Sequence, residues 1–516
     1  MEPWAGRRVG LGIFAGFLVL VVVGLHPTLV QPPVWDTTMG LFPGAIVLSE
    51  NGFDLPDLLS RPAWARGGPS IHPFSLPTWL TALALRAIPD DAVLRVVLHG
   101  VHFAVAAFTL LGTFRLAGLV LGPGLALALS ATLFLFPLFQ VQAGYLYTEM
   151  PLAACTVWAV LEATRRRWGR AVAWSALACF VKEPGVVVAV ALALAAALQR
   201  DVPRARWGRV AILAAAPALF VALQVGFALP VESATGFEPS PYGVYLADVF
   251  RKLAMVPDLA ALLAVAALAA GVHGRDTWHA LRGERSQDDS AARARALCVL
   301  ILAAFAGFYA LVPLTGVEVY VLPRYYVQIA PLVLLLVTSL ALRLGGSRAV
   351  ALLLALLAIL FAVNRSGRLY PEVPGNEFSL AERSVEYRDL LAVQRQLLDA
   401  AFELPGDLPV FYGLPEHFLL SYPRMGYAPG PLPQGRCIWL EPHWLRARLD
   451  DFPDRFAILY NFVGYGGKAF QSLLRQARAD PSRRVEATVF SSGRYRTLLF
   501  QVTRVKPPRS PRKARP

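Results

Sequence analysis

Apolar residues dominate the chain from residue 9 to about residue 363, in long runs separated by short polar stretches. Runs over 9–28, 92–113, 120–139, 148–163, 210–229, 253–271, 297–313, 326–343 and 349–363 approach the roughly 20 residues a helix needs to cross a bilayer. Two further runs, 171–181 and 186–198, are split by Lys182-Glu183-Pro184-Gly185. They are short for full crossings, and irregular backbone at membrane depth is tolerated only where protein or a wet cavity surrounds it. The pattern predicts a polytopic α-helical membrane protein with about 11 transmembrane helices.

Basic residues orient the spans. Arg7 and Arg8 precede the first run, and Arg165, Arg166, Arg167 and Arg170 follow the fourth. Arg200, Arg204, Arg206 and Arg209 follow the second short half; the loop 272–296 is arginine-rich, and Arg343 and Arg348 flank the last break. Arginine clusters mark the cytoplasmic side. Eleven crossings place every cluster inside and residues 365–516 outside. No small-residue cleavage site follows the first run before Trp35-Asp36, so it is expected to be a retained span. The expected first outer loop, 31–90, is rich in Pro, Gly and Trp, and its segments 39–50 and 76–88 are expected to be short amphipathic helices at the interface. The lysine–proline break is expected at or near the outer leaflet.

The pattern changes after residue 364. A helical period over 381–402 gives way to short apolar runs at 409–413, 437–441 and 456–462. A helix over 467–478 and two alternating segments, 485–491 and 495–503, joined at Ser492-Gly493, complete it. Alternating helix and strand signals predict an extracytoplasmic α/β domain over 365–505 after the transmembrane domain 1–364. Residues 506–516 are rich in proline and basic residues and are expected to be disordered.

Composition agrees. Of 516 residues, 56% are hydrophobic and only 16% charged, against about 25% in soluble domains. This excludes a soluble enzyme, a secreted disulfide scaffold and a disordered chain. The net charge of +14 does not imply nucleic acid, because no basic stripe carries interleaved aromatics. Cys155, Cys179, Cys298 and Cys437 lack metal-ligand spacing and read as small hydrophobes in packed helices.

Ionisable residues within a membrane region are costly and mark function by default. Asp36, His72, Glu149, Lys182, Glu183, Glu318, Arg324 and Tyr325 all map to the expected outer side. Two or three carboxylates with two cations suit a substrate carrying a phosphate and a hydroxyl. Lys182 and Arg324 would hold the phosphate, and a carboxylate such as Asp36 would take a proton from an attacking hydroxyl. Each residue also has a plainer reading. Asp36 could cap a helix starting near Thr37, and Glu149 could favour a helix N-terminus. Lys182 and Glu183 could pair with each other, and Arg324 could anchor at the interface with Tyr325 and Tyr326. His99 and His102, three apart, read as helix contacts, since no third ligand accompanies them.

Five motifs carry a resemblance. These are Val34-Trp35-Asp36-Thr37, His72-Pro73-Phe74-Ser75-Leu76, Tyr147-Thr148-Glu149-Met150-Pro151-Leu152, the stretch from Leu177 through Lys182-Glu183-Pro184-Gly185, and Leu322-Pro323-Arg324-Tyr325-Tyr326. In order and spacing they resemble the GT-C membrane glycosyltransferases, in the branch of the protein O-mannosyltransferases and the lipid A aminoarabinose transferase, over about residues 9–345. The resemblance implies an inverting transfer of a sugar from a polyprenyl-phosphate donor to an outer-face acceptor (a lipid, a cell-envelope glycan or a protein) at a bacterial inner membrane. It implies catalytic roles for Asp36 and Glu149, and substrate-binding roles for His72, Lys182, Glu183, Arg324 and Tyr325. Many members have a second acid after the first-loop aspartate; this chain has Thr37, which leaves a divalent metal, the one cofactor in question, open. A transporter of lipid or solute and an inactive scaffold are the alternative readings. No internal repeat relates the two halves, which tells against a transporter.

Overall fold

The computed structural model describes residues 7–34, 37–60, 74–199, 203–226, 241–284, 289–311, 314, 322–371, 382–413, 416–428, 430, 437–439, 449–461 and 467–505. Asp36, His72 and Glu318 lie outside the described residues, as does the basic tail 506–516. The chain divides into two compact units. One comprises Met1–Glu232, Phe237–Gly375 and Ser379–Val385; the other contains Glu386–Pro516.

The first unit is helical. In chain order its helices are α1 (Arg7–Leu25), α2 (Phe42–Glu50), α3 (Leu55–Ser60), α4 (Leu76–Ala87), α5 (Asp91–Leu121), α6 (Pro123–Leu135) and α7 (Pro137–Gly144). There follow α8 (Glu149–Thr164), α9 (Trp168–Val181), α10 (Gly185–Leu198), α11 (Pro203–Gly226), α12 (Tyr242–Ala254), α13 (Pro257–Val272), α14 (Gly274–Leu281), α15 (Ser290–Leu311) and α16 (Ala330–Val363). Among the described helices, five are long and apolar enough to cross a bilayer on their own, or seven if each of two bent pairs is one span. The count of eleven therefore depends on short helices such as α9 and α10, 14 residues each, reaching across with their neighbours.

Four interruptions shape the bundle, and each has a local cause. The run expected as one span over 120–139 is two helices, α6 and α7, bent by 68°. Pro137 lacks an amide hydrogen and holds Phe136 out of helical geometry, at φ −58° and ψ 119°. The pair α12 and α13 bends by 108° ahead of Pro257. Within α16, Gly345 and Gly346 leave helical geometry, and Gly346 adopts φ +68°, ψ −164°, a region essentially restricted to glycine. This break separates the two runs expected at 326–343 and 349–363.

The fourth interruption is between α9 and α10. The amide of Gly185 donates to the carbonyl of Lys182 at 2.8 Å, closing a tight turn through Glu183 and Pro184. A Cβ on Gly185 would lie 2.0 Å from the carbonyl oxygen of Ala178. Only glycine lets the start of α10 approach the end of α9 so closely.

At the centre stands α8, whose residues Glu149 to Thr164 are all buried except Pro151. A helix apolar and buried all round belongs inside a bundle. Its small residues Ala153, Ala154, Cys155, Ala159 and Ala163 allow close approach of neighbours. Cys155, Cys179 and Cys298 are buried free thiols, as expected of small hydrophobes. Of the two helices expected at the interface, α4 has buried Thr78, Thr81, Ala82 and Leu85 and exposed Leu80 and Leu83, a two-faced pattern. By contrast α2 is buried from Phe42 through Ser49 and packs against α4, so it is a core helix instead.

In the second unit, α17 (Tyr387–Glu403), α18 (Glu416–Ser421) and α19 (Gly467–Ala479) accompany five strands. The strands are β1 (Val410–Tyr412), β2 (Cys437–Trp439), β3 (Arg455–Asn461), β4 (Arg483–Ser492) and β5 (Tyr495–Arg504), in the order β2-β1-β3-β5-β4. The pairs β1–β2 and β1–β3 are parallel, while β3–β5 and β4–β5 are antiparallel. The expected α/β character is therefore present. Phe411, Phe456, Ile458, Phe470, Leu474, Phe500 and Val502 form its core. On the hairpin side, Ser492 donates to the Asp389 carboxylate at 2.7 Å and Thr497 to the Val393 carbonyl at 3.2 Å, which fixes α17 on the β4–β5 pair.

Gly185→Ala tests the turn between α9 and α10. The added methyl has no flexible side chain to displace, so thermal unfolding of the detergent-purified protein should show a loss of about 2 kcal/mol or more. An unchanged unfolding midpoint would mean that the helices are not in this close contact.

Candidate functional site

Three of the sequence-selected residues arrive from separate elements at one point. Glu149 occupies the first position of α8, where the orphan amides and the helix dipole favour a carboxylate. Lys182 ends α9 in extended geometry, φ −163° and ψ 154°, which takes it off the helix path. Arg324 belongs to a 3₁₀ turn, Pro323–Tyr326, ahead of α16.

Their side chains form a buried charged cluster. Lys182 Nζ lies 2.5 Å from Glu149 Oε1, and Arg324 Nε lies 3.1 Å from the same oxygen. The second Glu149 oxygen accepts from Thr148 Oγ1 at 3.3 Å. A terminal nitrogen of Arg324 pairs with Glu382, and the other donates to the Tyr325 hydroxyl at 3.3 Å. Side-chain exposure is 2% for both Glu149 and Arg324, 14% for Lys182 and 1% for Glu382.

Aromatic rings complete the surroundings. Lys182 Nζ lies 4.6 Å from the ring centroid of Tyr325, and Arg324 Cζ lies 5.0 Å from the rings of both Tyr147 and Tyr325. Such cation–π contacts partly compensate charges removed from water. Tyr325 stacks on Tyr309 with centroids 6.1 Å apart, and Gln328 donates to the Tyr309 hydroxyl at 3.4 Å.

Several plainer readings give way. Lys182 turns from its neighbour Glu183 to Glu149, 33 positions away in sequence. Arg324 is buried and so is no interfacial anchor. His99 and His102 do behave as helix contacts: His99 Nε2 meets the Gln31 carbonyl at 3.1 Å and His102 Nε2 the Gln142 carbonyl at 3.0 Å. Glu183 is half-buried in the turn next to Lys182.

Thr37, next to Asp36 in sequence, and Ser75, three residues after His72, are tied to these segments. Thr37 donates to the Leu146 carbonyl at 3.4 Å, ahead of α8, and Ser75 donates to the Val181 carbonyl at 3.2 Å, beside Lys182. Among the described residues, no group of three or more His, Cys, Asp or Glu side chains could hold a metal ion.

Glu382, Tyr147 and Tyr309 were missed as functional candidates. For Tyr147 the signal was present, since it opens the motif that contains Glu149. Glu382 had none: it lies past the last apolar run, in a stretch assigned to the α/β domain, yet belongs to the helical unit.

A polytopic helical bundle with a buried two-cation, two-carboxylate cluster and a separate α/β unit is thus the class of protein that the fold and site define. No family model and no curated protein matches the chain. Among solved structures it is similar to ArnT from Cupriavidus metallidurans bound to undecaprenyl phosphate, with a TM-score of 0.49 and 14% identity over 96% of this chain and 98% of that one. It is similar also to the apo state of the same protein, with a TM-score of 0.46 and 14% identity over 94% and 98%.

The cluster makes a stability prediction. Glu149→Gln leaves two cations buried beside each other, and losing one partner of a buried pair costs about 3–5 kcal/mol. Adding Lys182→Met should restore part of that loss in a double-mutant cycle followed by thermal unfolding. Additive losses would mean that the pair is uncoupled.

Proposed function

We propose that this protein is a membrane glycosyltransferase that moves a sugar from a polyprenyl-phosphate donor to an outer-face acceptor, a lipid, a cell-envelope glycan or a protein. The observation that carries the reading is the convergence of Lys182, Arg324 and Tyr325 on one buried point with Glu149, from three of the five motifs that resemble the GT-C enzymes. The hydrogen bonds of Thr37 and Ser75, one residue from each of the other two motifs, support it, because they run to the segments bearing Glu149 and Lys182.

On this reading Lys182 and Arg324 hold the donor phosphate, Arg324 through its planar fork and Lys182 as a point charge. Tyr325 orients the guanidinium and offers a hydroxyl to a phosphate oxygen. Glu149 keeps both cations in place and is itself held by them. An acceptor hydroxyl attacks the anomeric carbon from the face opposite the phosphate. The bond from that carbon to the phosphate oxygen breaks, its electron pair stays on the leaving polyprenyl phosphate, and the anomeric centre inverts. Asp36 takes the hydroxyl proton, and His72 and Glu183 contact the substrate. Positive charge on the departing phosphate lowers the barrier by stabilising what develops there. On this reading the site and the α/β unit are extracytoplasmic, which the arginine clusters of the sequence support, and the membrane is a bacterial inner membrane, as the resemblance implies.

The test is release of free polyprenyl phosphate by the lipid-reconstituted protein offered a panel of polyprenyl-phosphate sugars and acceptors. Asp36→Asn should cut turnover by about a hundredfold or more, the usual worth of a general base, with unfolding behaviour unchanged. Turnover that survives the substitution would remove Asp36 from the chemistry. Counterflow of a lipid or solute without sugar transfer would replace the enzyme with a transporter.

A further inference from the structure

The turn that carries Arg324, Pro323–Tyr326, is only four residues long. Hydrogen bonds of the 3₁₀ type have poorer geometry than those of an α-helix, so a turn this short benefits from outside support. Tyr309 of α15 supplies it. Its ring lies parallel to that of Tyr325, 5° apart in plane, with centroids 6.1 Å apart, inside the range of offset-stacked aromatic pairs. Its hydroxyl accepts from Gln328 Nε2 at 3.4 Å. Tyr309 thus meets the turn and the chain just after it at two points, three positions apart in sequence.

Tyr309 is itself held from two directions. On its own helix the ring stacks on Phe305, one turn back, with centroids 6.4 Å apart, and meets Phe308 edge-on at 5.2 Å. Its backbone is tied as well. The chain leaves α15 at Leu311, and the last four carbonyls of a helix have no partner within it. Tyr245 of α12 donates its hydroxyl to the Tyr309 carbonyl at 2.7 Å, and Tyr242 donates to the Ala310 carbonyl at 3.0 Å. Two tyrosines of α12 therefore cap α15 at the residue that supports the arginine turn.

We propose, on the reading given under the proposed function, that Tyr309 is a positioning residue of the phosphate site, acting through the ring of Tyr325. What it positions touches both cations. Lys182 Nζ lies 4.6 Å from the Tyr325 centroid and Arg324 Cζ lies 5.0 Å from it, while Arg324 donates to the Tyr325 hydroxyl at 3.3 Å. A tyrosine hydroxyl that accepts from a guanidinium keeps its own hydrogen to donate. Hydrogen bonds in a chain polarise one another, so that hydrogen is a better donor to a phosphate oxygen than an isolated phenol would be. The arrangement works at one ring orientation, and a tyrosine side chain turns about two torsions. Stacking on Tyr309 restricts that turning and keeps the ring over the cations. In sequence Tyr309 reads as an aromatic at the end of an apolar run, a common place for an interfacial tyrosine; its stack on Tyr325 gives it a second role.

The experiment measures binding of undecaprenyl phosphate, and of undecaprenol as the same tail without phosphate, to full-length protein in lipid nanodiscs. Tyr309→Leu should weaken undecaprenyl phosphate by about tenfold, the upper end of what an aromatic pair contributes, and leave undecaprenol unchanged. Tyr309→Phe keeps the ring and loses the long bond to Gln328, so it should stay within about threefold of wild type. Tyr309→Met fills the space with a flexible chain and decides the matter if the leucine variant does not fold. A double-mutant cycle separates positioning from general damage. If Tyr309 acts through Tyr325, the variant carrying Tyr309→Leu and Tyr325→Leu should bind no more weakly than Tyr325→Leu alone. Additive losses, equal losses for both lipids, or full binding by Tyr309→Leu or Tyr325→Leu would overturn the inference and leave the enzyme reading standing. A wild type that does not prefer undecaprenyl phosphate to undecaprenol would overturn the phosphate site, and both readings with it.

Discussion

A carboxylate sealed into a helical bundle is the constraint from which the rest of this structure follows. Glu149 is 2% exposed at the start of the most buried helix, α8. Removing a carboxylate from water costs several kcal/mol even after the protein relaxes, unless charge partners surround it. Two cations must therefore reach it from elements remote in sequence. Lys182 does so because α9 stops at Val181 and the chain turns through Pro184 and Gly185. Arg324 does so because a 3₁₀ turn precedes α16. The short helices, the close approach at Gly185 and the tyrosines over both cations are all conditions for keeping that one charge buried.

Such a cluster is an expensive way to hold helices together. Well-packed apolar residues of the same volume often do as well or better by about 1–4 kcal/mol. Stability alone gives no reason for four charged groups here, and the phosphate-binding role proposed above would supply one.

Much of this architecture was legible in the sequence, for identifiable reasons. The helices fall on the apolar runs because their length and periodicity are strong signals. The break at Lys182-Glu183-Pro184-Gly185 was legible because charge, proline and glycine coincide there, and the hairpin because alternation resumes on either side of Ser492-Gly493. The bend at Pro137 was not, since the apolar run continues through it and hides the missing amide. Nor was the burial of α2 legible, as its apolar residues fit an interfacial helix equally well. In the site, Glu149, Lys182, Arg324 and Tyr325 stood out as charges or polar groups beside membrane spans. Their pairing did not: local spacing favours Lys182 with Glu183, and only the tertiary fold brings Glu149 closer. Glu382 carried no signal, because an acid outside the apolar region looks like any solvated acid.

What the cluster can do chemically depends on where its members are mounted. Glu149 begins a helix, Lys182 ends one, and Arg324 lies in a turn that leads into another. Each is fixed by a helix terminus already packed into the bundle, so none relies on a long loop for its position, and functional groups on such elements are held more accurately than groups on loops. Helix ends also carry the unpaired amides and carbonyls that would otherwise need solvent. Gathering three ends at one buried point concentrates polar demand, and the charged side chains help to meet it. The first-loop ties of Thr37 and Ser75 run to backbone carbonyls in these same terminal segments, at Leu146 and Val181. Thr37 and Ser75 are therefore attached to the least self-sufficient part of the bundle. The helix ends, more than the helices themselves, are thus where the charged cluster and the tertiary ties meet.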